Sequence, residues 1–587
     1  MVKLLINFEV EEIELEEVEE GKKIIKLSEL TEEEKNIIDP IVAPTSGLRI
    51  QLVDIIEKNG IKNYVLTKRK LFLFLRVFKA ISQKFKEMKN AQNLKVLIVT
   101  DDRPSKNILL DYASQIFAND GYQIYYQKDD PNESRLSSPY AAASVALIED
   151  INLIIMLTAS HNELSWNGIK FYIDYPIPMS GDLFKEISRV ALKLKEIHFK
   201  PKFTTIEIDA EQINNNYTIE LLSKTLEIKS LKGKNIVIWP YLGKARGIVN
   251  LFKQLGANVT VIEEEIDPPN PIKEIREEQL QSIMNKVNSN LALLLDADRD
   301  RIALYVKQNG EYFTYIPNEI YSAMHNILAK EYNKKIINVR TIPSDLRGDH
   351  TSFLNILTGV GYKHLGIILY FLFGIEVDPS KVDTAILYVE EEDKSLKKIN
   401  SPSPIKERII NLMEKNGLDK EQFLVVMWEE SGGHTLNILN ASKNQNTKKF
   451  EFSTDFPLIA DKYPVPALVL ISELVCRGYV ISESIDWSIK GINRTIHAVD
   501  EEKVRIMKNF QKNDNRTINI EGKDYEIHAL SDNANIIDIY QLTSTDSTLY
   551  FRPSGTGPDV RFYIFGKKET HLEEIHKVME FIEINYK

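Results

Sequence analysis

A single cysteine, Cys476, stands among 587 residues. The chain can therefore form neither an internal disulfide nor a cysteine-rich zinc site. Its surroundings, the apolar stretch Pro464 to Tyr479, predict a buried structural thiol. Long hydrophobic runs are also missing. The longest extends from Leu365 to Ile375 and stops at Glu376, about half the ~20 residues that a membrane-spanning helix needs. An excess of basic charge is lacking too: 74 Lys and Arg against 85 Asp and Glu leave a net charge of −11. That balance argues against a general nucleic-acid or membrane-surface binder, since both require a basic face. Met1–Phe8 runs straight into the acidic tract Glu9–Glu20 without an apolar stretch long enough for a signal peptide, so a cytoplasmic protein is expected. The acidic tract itself reads as a solvated edge strand or tail. What is present is 43% hydrophobic and 27% charged residues, a globular composition rather than a disordered or collagenous one. At about 150 residues per domain the length predicts roughly four domains.

Short apolar runs recur along the chain: Leu94–Thr100, Ile151–Leu157, Asn235–Trp239, Leu291–Leu295, Ile336–Val339 and Phe423–Met427. Between them lie amphipathic stretches of helical length, such as Phe72–Met88, Gly247–Leu255 and Lys406–Lys415. Buried strands alternating with helices predict repeated parallel α/β units. Two polar segments, Glu390–Pro404 and Asn440–Lys449, read as surface insertions or loops. The last hundred or so residues change character. Ser544–Phe565 reads strand, Gly-rich turn, strand, and a terminal helix follows from His571, which predicts a smaller α+β unit.

Four loops carry chemistry. Thr158-Ala-Ser-His-Asn162 follows an apolar strand and continues to Asn167-Gly-Ile-Lys170. A serine at such a place is commonly a helix cap, but the carboxyl ends of α/β strands are also where ligands bind. Asp296-Ala-Asp-Arg-Asp-Arg301 sets alternating carboxylates after the strand Leu291–Leu295. Such an array suits a hard divalent cation, and left unneutralised it would be costly. It is no EF-hand, because Arg301 and Lys307 replace the required Gly and Glu. Trp428-Glu-Glu-Ser-Gly-Gly-His434 offers carboxylate, hydroxyl and flexible backbone for a polyhydroxylated ligand. A serine-hydrolase elbow would need glycine where Glu429 stands. Phe551-Arg-Pro-Ser-Gly-Thr-Gly-Pro-Asp-Val-Arg561 gathers small residues, hydroxyls and two guanidinium forks suited to phosphate. The loops fall at roughly even intervals, near residues 160, 298, 430 and 555. One loop per domain, meeting at a common cleft, would unite nucleophile, metal, sugar ligand and phosphate clamp.

In this order the loops resemble those of the α-D-phosphohexomutase superfamily of phosphoglucomutases and phosphomannomutases, over roughly residues 40 to 587. Shorter similarities lie at Thr45–Arg49, at Asp101 with Arg103 and Ser105, at Pro269-Asn-Pro271 and at Gly361-Tyr-Lys363. The resemblance implies an α/β fold of three related α/β domains plus a smaller C-terminal α+β domain around a central cleft. Domains are expected at residues 1–200, 201–325, 326–485 and 486–587. It implies a phosphoryl group on Ser160 in the resting enzyme, with Ser160, Asp296, Asp298 and Asp300 binding Mg2+. Lys170 would assist proton transfer, and His161 and Arg301 would line the phosphoserine. Glu429 and Ser431 would hold sugar hydroxyls. Arg552, Ser554, Gly555, Thr556 and Arg561 would grip the non-reacting phosphate, with Arg49 and Lys363 as further substrate contacts.

The implied reaction interconverts hexose 1-phosphate and hexose 6-phosphate through a hexose 1,6-bisphosphate, with the C-terminal domain closing as a lid. Glucose is expected from the Glu-Glu-Ser form of the sugar loop and the chain length. Phosphomannomutase, phosphopentomutase and a non-catalytic sugar-phosphate binder are the alternatives, and the oligomeric state is left open. The sequence departs from the pattern at several places, among them the apolar run after Lys363, the insertion Glu390–Pro404 and the acidic segment before residue 40. Gly433 stands where some relatives have histidine, with His434 one residue later; Gly557 replaces a common Glu; and Ile50 follows Arg49.

Overall fold

A computed structural model of the chain describes residues 6–39, 48–58, 61–91, 93–130, 132–173, 182–375, 387–392, 395–399, 401–532, 535–553 and 559–587. Its centre is one topology used three times. The first set is β1 (Lys95–Thr100), β2 (Gln123–Gln127), β3 (Leu153–Leu157) and β4 (Trp166–Ile173). The second is β5 (Asn235–Trp239), β6 (Asn258–Val261), β7 (Leu291–Leu295) and β8 (Ile302–Gln308). The third is β9 (Lys335–Thr341), β10 (Leu354–Thr358), β11 (Lys420–Trp428) and β12 (His434–Lys443). In each set the first strand is flanked in parallel by the second and third, and the fourth returns antiparallel beside the third. The expected repeated α/β units are thus present.

The apolar runs explain the pattern. Leu153–Leu157 and Leu291–Leu295 are buried along their whole length, as strands covered by helices on both faces must be. On the first sheet, helices Lys68–Lys89 and Lys106–Asn119 pack into one core cluster with Leu153 and Ile155. Helices Ser138–Leu147 and Ala210–Thr225 pack into a second cluster, which continues through the second sheet to helix Val465–Cys476. Cys476 lies at the rim of that helix, half-buried, and burial pushes its thiol up to about 11.

The C-terminal unit is a six-stranded antiparallel sheet. Its last two strands are β13 (Thr548–Pro553) and β14 (Asp559–Lys567), and helix His571–Asn585 covers it. The acidic N-terminal tract is folded. Ile6–Val10 pairs in parallel with Ile61–Leu66, and Glu16–Glu19 is an exposed edge strand beside Lys22–Lys26. Among the described residues no helix is long and apolar enough to cross a membrane.

One expected loop is ordered structure. Within Glu390–Pro404, Leu396–Lys398 pairs with Leu387–Glu390 as an edge hairpin, and a helix starts at Ser403. Its charged composition misled because its partners are remote. Lys398 Nζ donates to Ser531 Oγ at 3.2 Å and Asn535 Oδ1 at 3.0 Å, and Tyr388 Oη donates to Ser531 O at 3.1 Å. Asn440–Lys449 is the end of β12 and a turn, in which Asn444 Oδ1 accepts the amides of Asn446 and Thr447.

Candidate active site

Three of the four loops singled out in the sequence occupy the same place in the three sheets. Each connects the third strand to the antiparallel fourth: 158–165 between β3 and β4, 296–301 between β7 and β8, and 429–433 between β11 and β12. The fourth loop joins β13 to β14.

Ser160 is held in the left-handed region, φ +52°, uncommon for a residue with a Cβ. Its amide donates to Thr158 Oγ1 at 2.8 Å. Arg103, fully buried, donates to the carbonyls of Ser160, Asn162, Glu163 and Trp166 and to Asp101 Oδ2. Thr158 Oγ1 donates to the same carboxylate oxygen at 2.7 Å. A buried guanidinium with this many acceptors fastens the whole serine loop. The outcome is a buried hydroxyl, Ser160 Oγ, 3.3 Å from both Asp296 Oδ2 and His161 Nδ1. Burial and the charges of Arg301 and Arg49 push the His161 imidazole down to about 2, so it is neutral.

On the metal loop, Asp296, Asp298 and Asp300 are all buried and each offers an oxygen within 4.8 Å of the others. Arg299 turns away from them at φ +64° and donates to Asp102 Oδ2 and Leu242 O. Lys170 Nζ sits 2.9 Å from Asp298 Oδ2, 3.5 Å from Asp300 Oδ2 and 2.9 Å from Ser138 Oγ. Burial works against its charge, but Asp298 and Asp300 hold the ammonium above its usual range. Burial and the two neighbouring carboxylates push Asp296 well up. Against burial, Lys170 holds Asp298 low. Oδ1 of Asp298 and Oδ1 of Asp300 are buried without a hydrogen-bond partner. Three converging carboxylates with orphaned oxygens fit a hard divalent cation, which would satisfy what the protein leaves unsatisfied.

The sugar loop is wedged against both neighbours. Gly432 lies at φ +114°, and a Cβ there would meet Arg301 Cα at 3.0 Å. Ser431 Oγ donates to Glu429 Oε1, and Tyr321 Oη donates to Gly432 O. His434 points away from the cleft into the core, its Nε2 3.0 Å from Nε2 of His325. Burial pushes both imidazoles down, His325 to about 3.

A cavity of about 180 Å³ brings these parts together, with Arg49, Ser160, Lys170, Asp300, Arg301, Glu429, Ser431 and Arg561 in its wall. Seven of the expected catalytic, metal and sugar residues thus share one space with Arg561. Lys363 does not line it, although its neighbours Val360, Gly361 and Tyr362 do. Arg552 lies across the β13–β14 pair from Arg561, 3.6 Å from Asp538 and outside the lining. Ser554, Gly555 and Thr556, like Thr45–Gly47 and Gly557, lie outside the described residues.

Sequence reasoning missed three wall residues. Ser138 starts the helix that packs on the metal loop, its amide donating to Asp298 O at 2.9 Å. Asp461 and Lys462 follow a polar hairpin with no motif around them. Burial pushes the Asp461 carboxyl up to about 6. The only available signal was an Asp-Lys pair just before the apolar helix Val465–Cys476.

Residues 54–198 match the family model "Phosphoglucomutase/phosphomannomutase, alpha/beta/alpha domain I". A phosphoglucosamine mutase of Caldicellulosiruptor saccharolyticus is 33% identical over 162 residues, 27% of this chain and 36% of the relative. The first such relatives are therefore matched over about a third of their length. One of Dictyoglomus turgidum is 23% identical over 411 residues, 68% of this chain and 81% of the relative. Among solved structures, the open form of the Paramecium phosphoglucomutase pp63/parafusin aligns over 96% of both chains, with a TM-score of 0.58 at 14% identity. A phosphoglucomutase/phosphomannomutase family protein of Burkholderia thailandensis covers 87% of this chain and 93% of its own, at 0.54 and 13%. The sequence matches liken residues 54–198 to domain I of phosphoglucomutases and phosphomannomutases, and the structural likeness shows that nearly the whole chain has the fold of phosphoglucomutase structures.

Proposed function

We propose that the chain is a Mg2+-dependent phosphohexomutase that moves a phosphoryl group between the 1- and 6-oxygens of a hexose, with Ser160 as the phosphoryl carrier. The observation that carries this reading is the position of Ser160 Oγ, 3.3 Å from Asp296 Oδ2 in a cavity walled by Lys170, Arg301, Glu429 and Ser431. Phosphoryl transfer asks chiefly for positioning and charge neutralisation, and those are what this wall offers.

Asp296, Asp298 and Asp300 would hold the cation together with an oxygen of phosphorylated Ser160. The cation, when bound, draws charge from the phosphoryl oxygens. Glu429 and Ser431 orient the sugar so that a hydroxyl faces the phosphoryl group. The hydroxyl oxygen bonds to phosphorus as the Ser160 Oγ–P bond breaks, and the hydroxyl proton would pass to Lys170. That lysine can be a neutral amine once a cation takes up the charge of Asp298 and Asp300 that otherwise keeps it an ammonium. The same chemistry in reverse, on the bisphosphate turned about, rephosphorylates Ser160. Arg49, Arg301 and Arg561 neutralise phosphate charge around the ring. The four-part division of the chain and the C-terminal unit's role as a lid belong to the same proposal.

Intact mass spectrometry tests it: a species about 80 Da heavier, with the site at Ser160, supports a phosphoserine enzyme. Ser160→Ala should abolish turnover and leave sugar-phosphate binding measurable. Full activity in that variant refutes the carrier role.

Glucose 1-phosphate is the leading substrate, on the Glu-Glu-Ser loop. One observation favours a hexosamine phosphate instead. Glu430 lines the cavity with Thr341 Oγ1 as a donor at 3.2 Å, while Lys462 Nζ lies against Glu429. Burial and Glu429 push the Glu430 carboxyl up, so a ligand ammonium would relieve it. The relatives named phosphoglucosamine mutase agree with that reading. A panel of glucose, glucosamine, mannose and ribose 1-phosphates with Mg2+ separates the two, since Glu430→Gln should penalise only an amino sugar.

A further inference from the structure

Arg299 is the residue of the metal loop that the scheme above leaves unused. It stands between Asp298 and Asp300, two of the three converging carboxylates, yet it does not line the cavity. Its guanidinium donates to Asp102 Oδ2 at 2.8 Å and to Leu242 O at 2.6 Å, and the side chain is buried.

Asp102 holds the matching place on the other side. It follows β1 and stands between Asp101 and Arg103, the two residues that fasten the serine loop. Its carboxylate packs against Gly243, where a Cβ would meet Oδ2 at 2.1 Å. The carboxylate thus fills room that only a glycine leaves free, on the same turn after β5 that supplies Leu242 O. Arg135, 3.8 Å from Oδ1, is a looser partner.

Each of the two residues is therefore the centre of a triplet whose outer members serve the site. Their ion pair joins residues 101–103 of the first sheet's turn to residues 298–300 of the second sheet's loop. The Ser138 amide and Lys170 already hold that loop at Asp298 from the cavity side. Arg299 holds it from the opposite side, which fixes its rotation and with it the place of Asp296 beside Ser160 Oγ. The outward commitment has a second effect. An arginine free to fold back between Asp298 and Asp300 would neutralise the carboxylates that suit a divalent cation.

We propose that Arg299 and Asp102 are positioning residues of the reaction centre: their ion pair locks the carboxylate loop to the serine loop and keeps the guanidinium off the cation's ligands. The kinetic part of the assignment rests on the mutase reading, and the metal part on the carboxylate cluster alone. Outer partners of this kind typically change metal affinity or activity by ~10–100-fold.

The test compares Arg299→Met, Arg299→Lys, Asp102→Asn and the double variant Asp102→Asn/Arg299→Met in the full-length protein. It reads the Mg2+ Kd by calorimetry without sugar phosphate, the melting temperature in EDTA, and kcat and KM at saturating Mg2+ on the best substrate of the panel. Arg299→Met should weaken Mg2+ binding and lower kcat, each by ~10–100-fold, with KM for the sugar phosphate little changed. Asp102→Asn leaves the guanidinium beside the ligand carboxylates without its ionic partner, so it should weaken Mg2+ at least as far. Both single variants strand a buried charge and should melt below the parent. The double variant strands neither, so its melting temperature should recover while Mg2+ affinity and kcat stay low. Arg299→Lys keeps the charge on a single-point donor and should fall between parent and Arg299→Met.

Mg2+ affinity and kcat that recover together with the melting temperature in the double variant overturn the assignment and leave the pair a purely stabilising contact. A loss confined to KM overturns it as well. A parent that carries no phosphoryl group on Ser160 and turns over no hexose phosphate fails the mutase reading. The Mg2+ Kd then decides alone: weakening in Arg299→Met and in the double variant supports the positioning role, and an unchanged value overturns it.

Discussion

Replacing Arg103 with methionine should loosen the serine loop by about three orders of magnitude in its opening equilibrium. The perturbation keeps the volume of the stem and removes only the guanidinium. In the parent, that group is fully buried and donates to Asp101 Oδ2 at 3.0 Å, Glu163 O at 2.6 Å, Trp166 O at 2.9 Å, Asn162 O at 2.9 Å and Ser160 O. Removing one member of a buried ion pair costs about 3–5 kcal/mol, because the other charge is stranded. Asp101 keeps only Thr158 Oγ1 and the amide of residue 103 as donors. Glu163 O keeps the Trp166 amide as a donor, but each carbonyl left without one would add ~1–3 kcal/mol if it stayed buried. His161, Asn162 and Glu163 already reach solvent, so the loop can swing outward and hydrate those carbonyls. The net cost is then about 4 kcal/mol, and at 1.4 kcal/mol per factor of ten the open fraction rises ~10³-fold. Amide hydrogen exchange over residues 158–166 measures it, with the Ser160 amide as the natural reporter. Asp101→Asn in the Arg103→Met background should return part of the protection by removing the stranded charge. A change in protection below about tenfold would show that the loop is held by something other than this guanidinium, and the reasoning would fail.

Three further outcomes follow from the same geometry. Mg2+ should raise the melting temperature, since a ligand at a hundred times its Kd adds about 2.7 kcal/mol. Asp296→Asn should cost the metal-free protein little, because burial already pushes that carboxyl well up, yet it should erase the Mg2+ shift. Thermal melts with Mg2+ and with EDTA decide both points, and an unchanged shift in the variant would remove Asp296 from the cation site. Glu473, buried, accepts the amides of Lys229, Ser230 and Leu231 and the guanidinium of Arg477. These bonds outweigh burial and hold its carboxyl below the usual range. A depressed folded value means that the stabilisation is complete above the unfolded carboxylate value and lost as pH falls through the folded one. Glu473→Gln should therefore destabilise by roughly 1.5–3 kcal/mol at pH 7, with the gap to the parent narrowing below about pH 4. Urea unfolding at several pH values checks this, and a gap independent of pH would refute it.

The strand-forming runs were legible because burial on both faces demands continuous apolar sequence: Asn235–Trp239 and Leu291–Leu295 begin and end as expected. Ser160, the three aspartates and the Glu429 loop were legible for a related reason. Each directly follows the last residues of such a run, where chemistry at a sheet's edge leaves a local signature. The misreadings share the opposite property. Lys398 and Tyr388 find their partners at Ser531 and Asn535, far along the chain, so the hairpin they belong to looked like a charged loop. Lys462 gained its place through Gly433 and Glu429, and Ser138 through Lys170. Arg103 appeared only as one letter of a short similarity, although its role is to satisfy four backbone carbonyls. Tertiary partnership leaves no periodicity to read.

An acidic chain can still present an anion site, and the cavity wall explains how. Its cationic residues are Arg49, Lys170, Arg301, Lys462 and Arg561, and its carboxylates are Asp300, Glu429, Glu430 and Asp461. The two sets nearly cancel, so the empty wall has little field with which to hold a dianionic phosphate. The balance is lopsided in its attachments, however. Lys170 and Lys462 are engaged with Asp298, Asp300 and Glu429, the same carboxylates whose charge a divalent cation and the sugar hydroxyls would claim. Binding of either should therefore release ammonium charge toward the cavity in addition to whatever it contributes itself. On this argument metal, sugar and phosphate bind with positive coupling, because each loosens ion pairs that hold the cations for the next. The coupling is measurable as a tighter hexose 6-phosphate Kd in Mg2+ than in EDTA. The gain should shrink in Lys462→Met, where one of the two released charges is gone, and a gain of equal size in that variant would refute the argument.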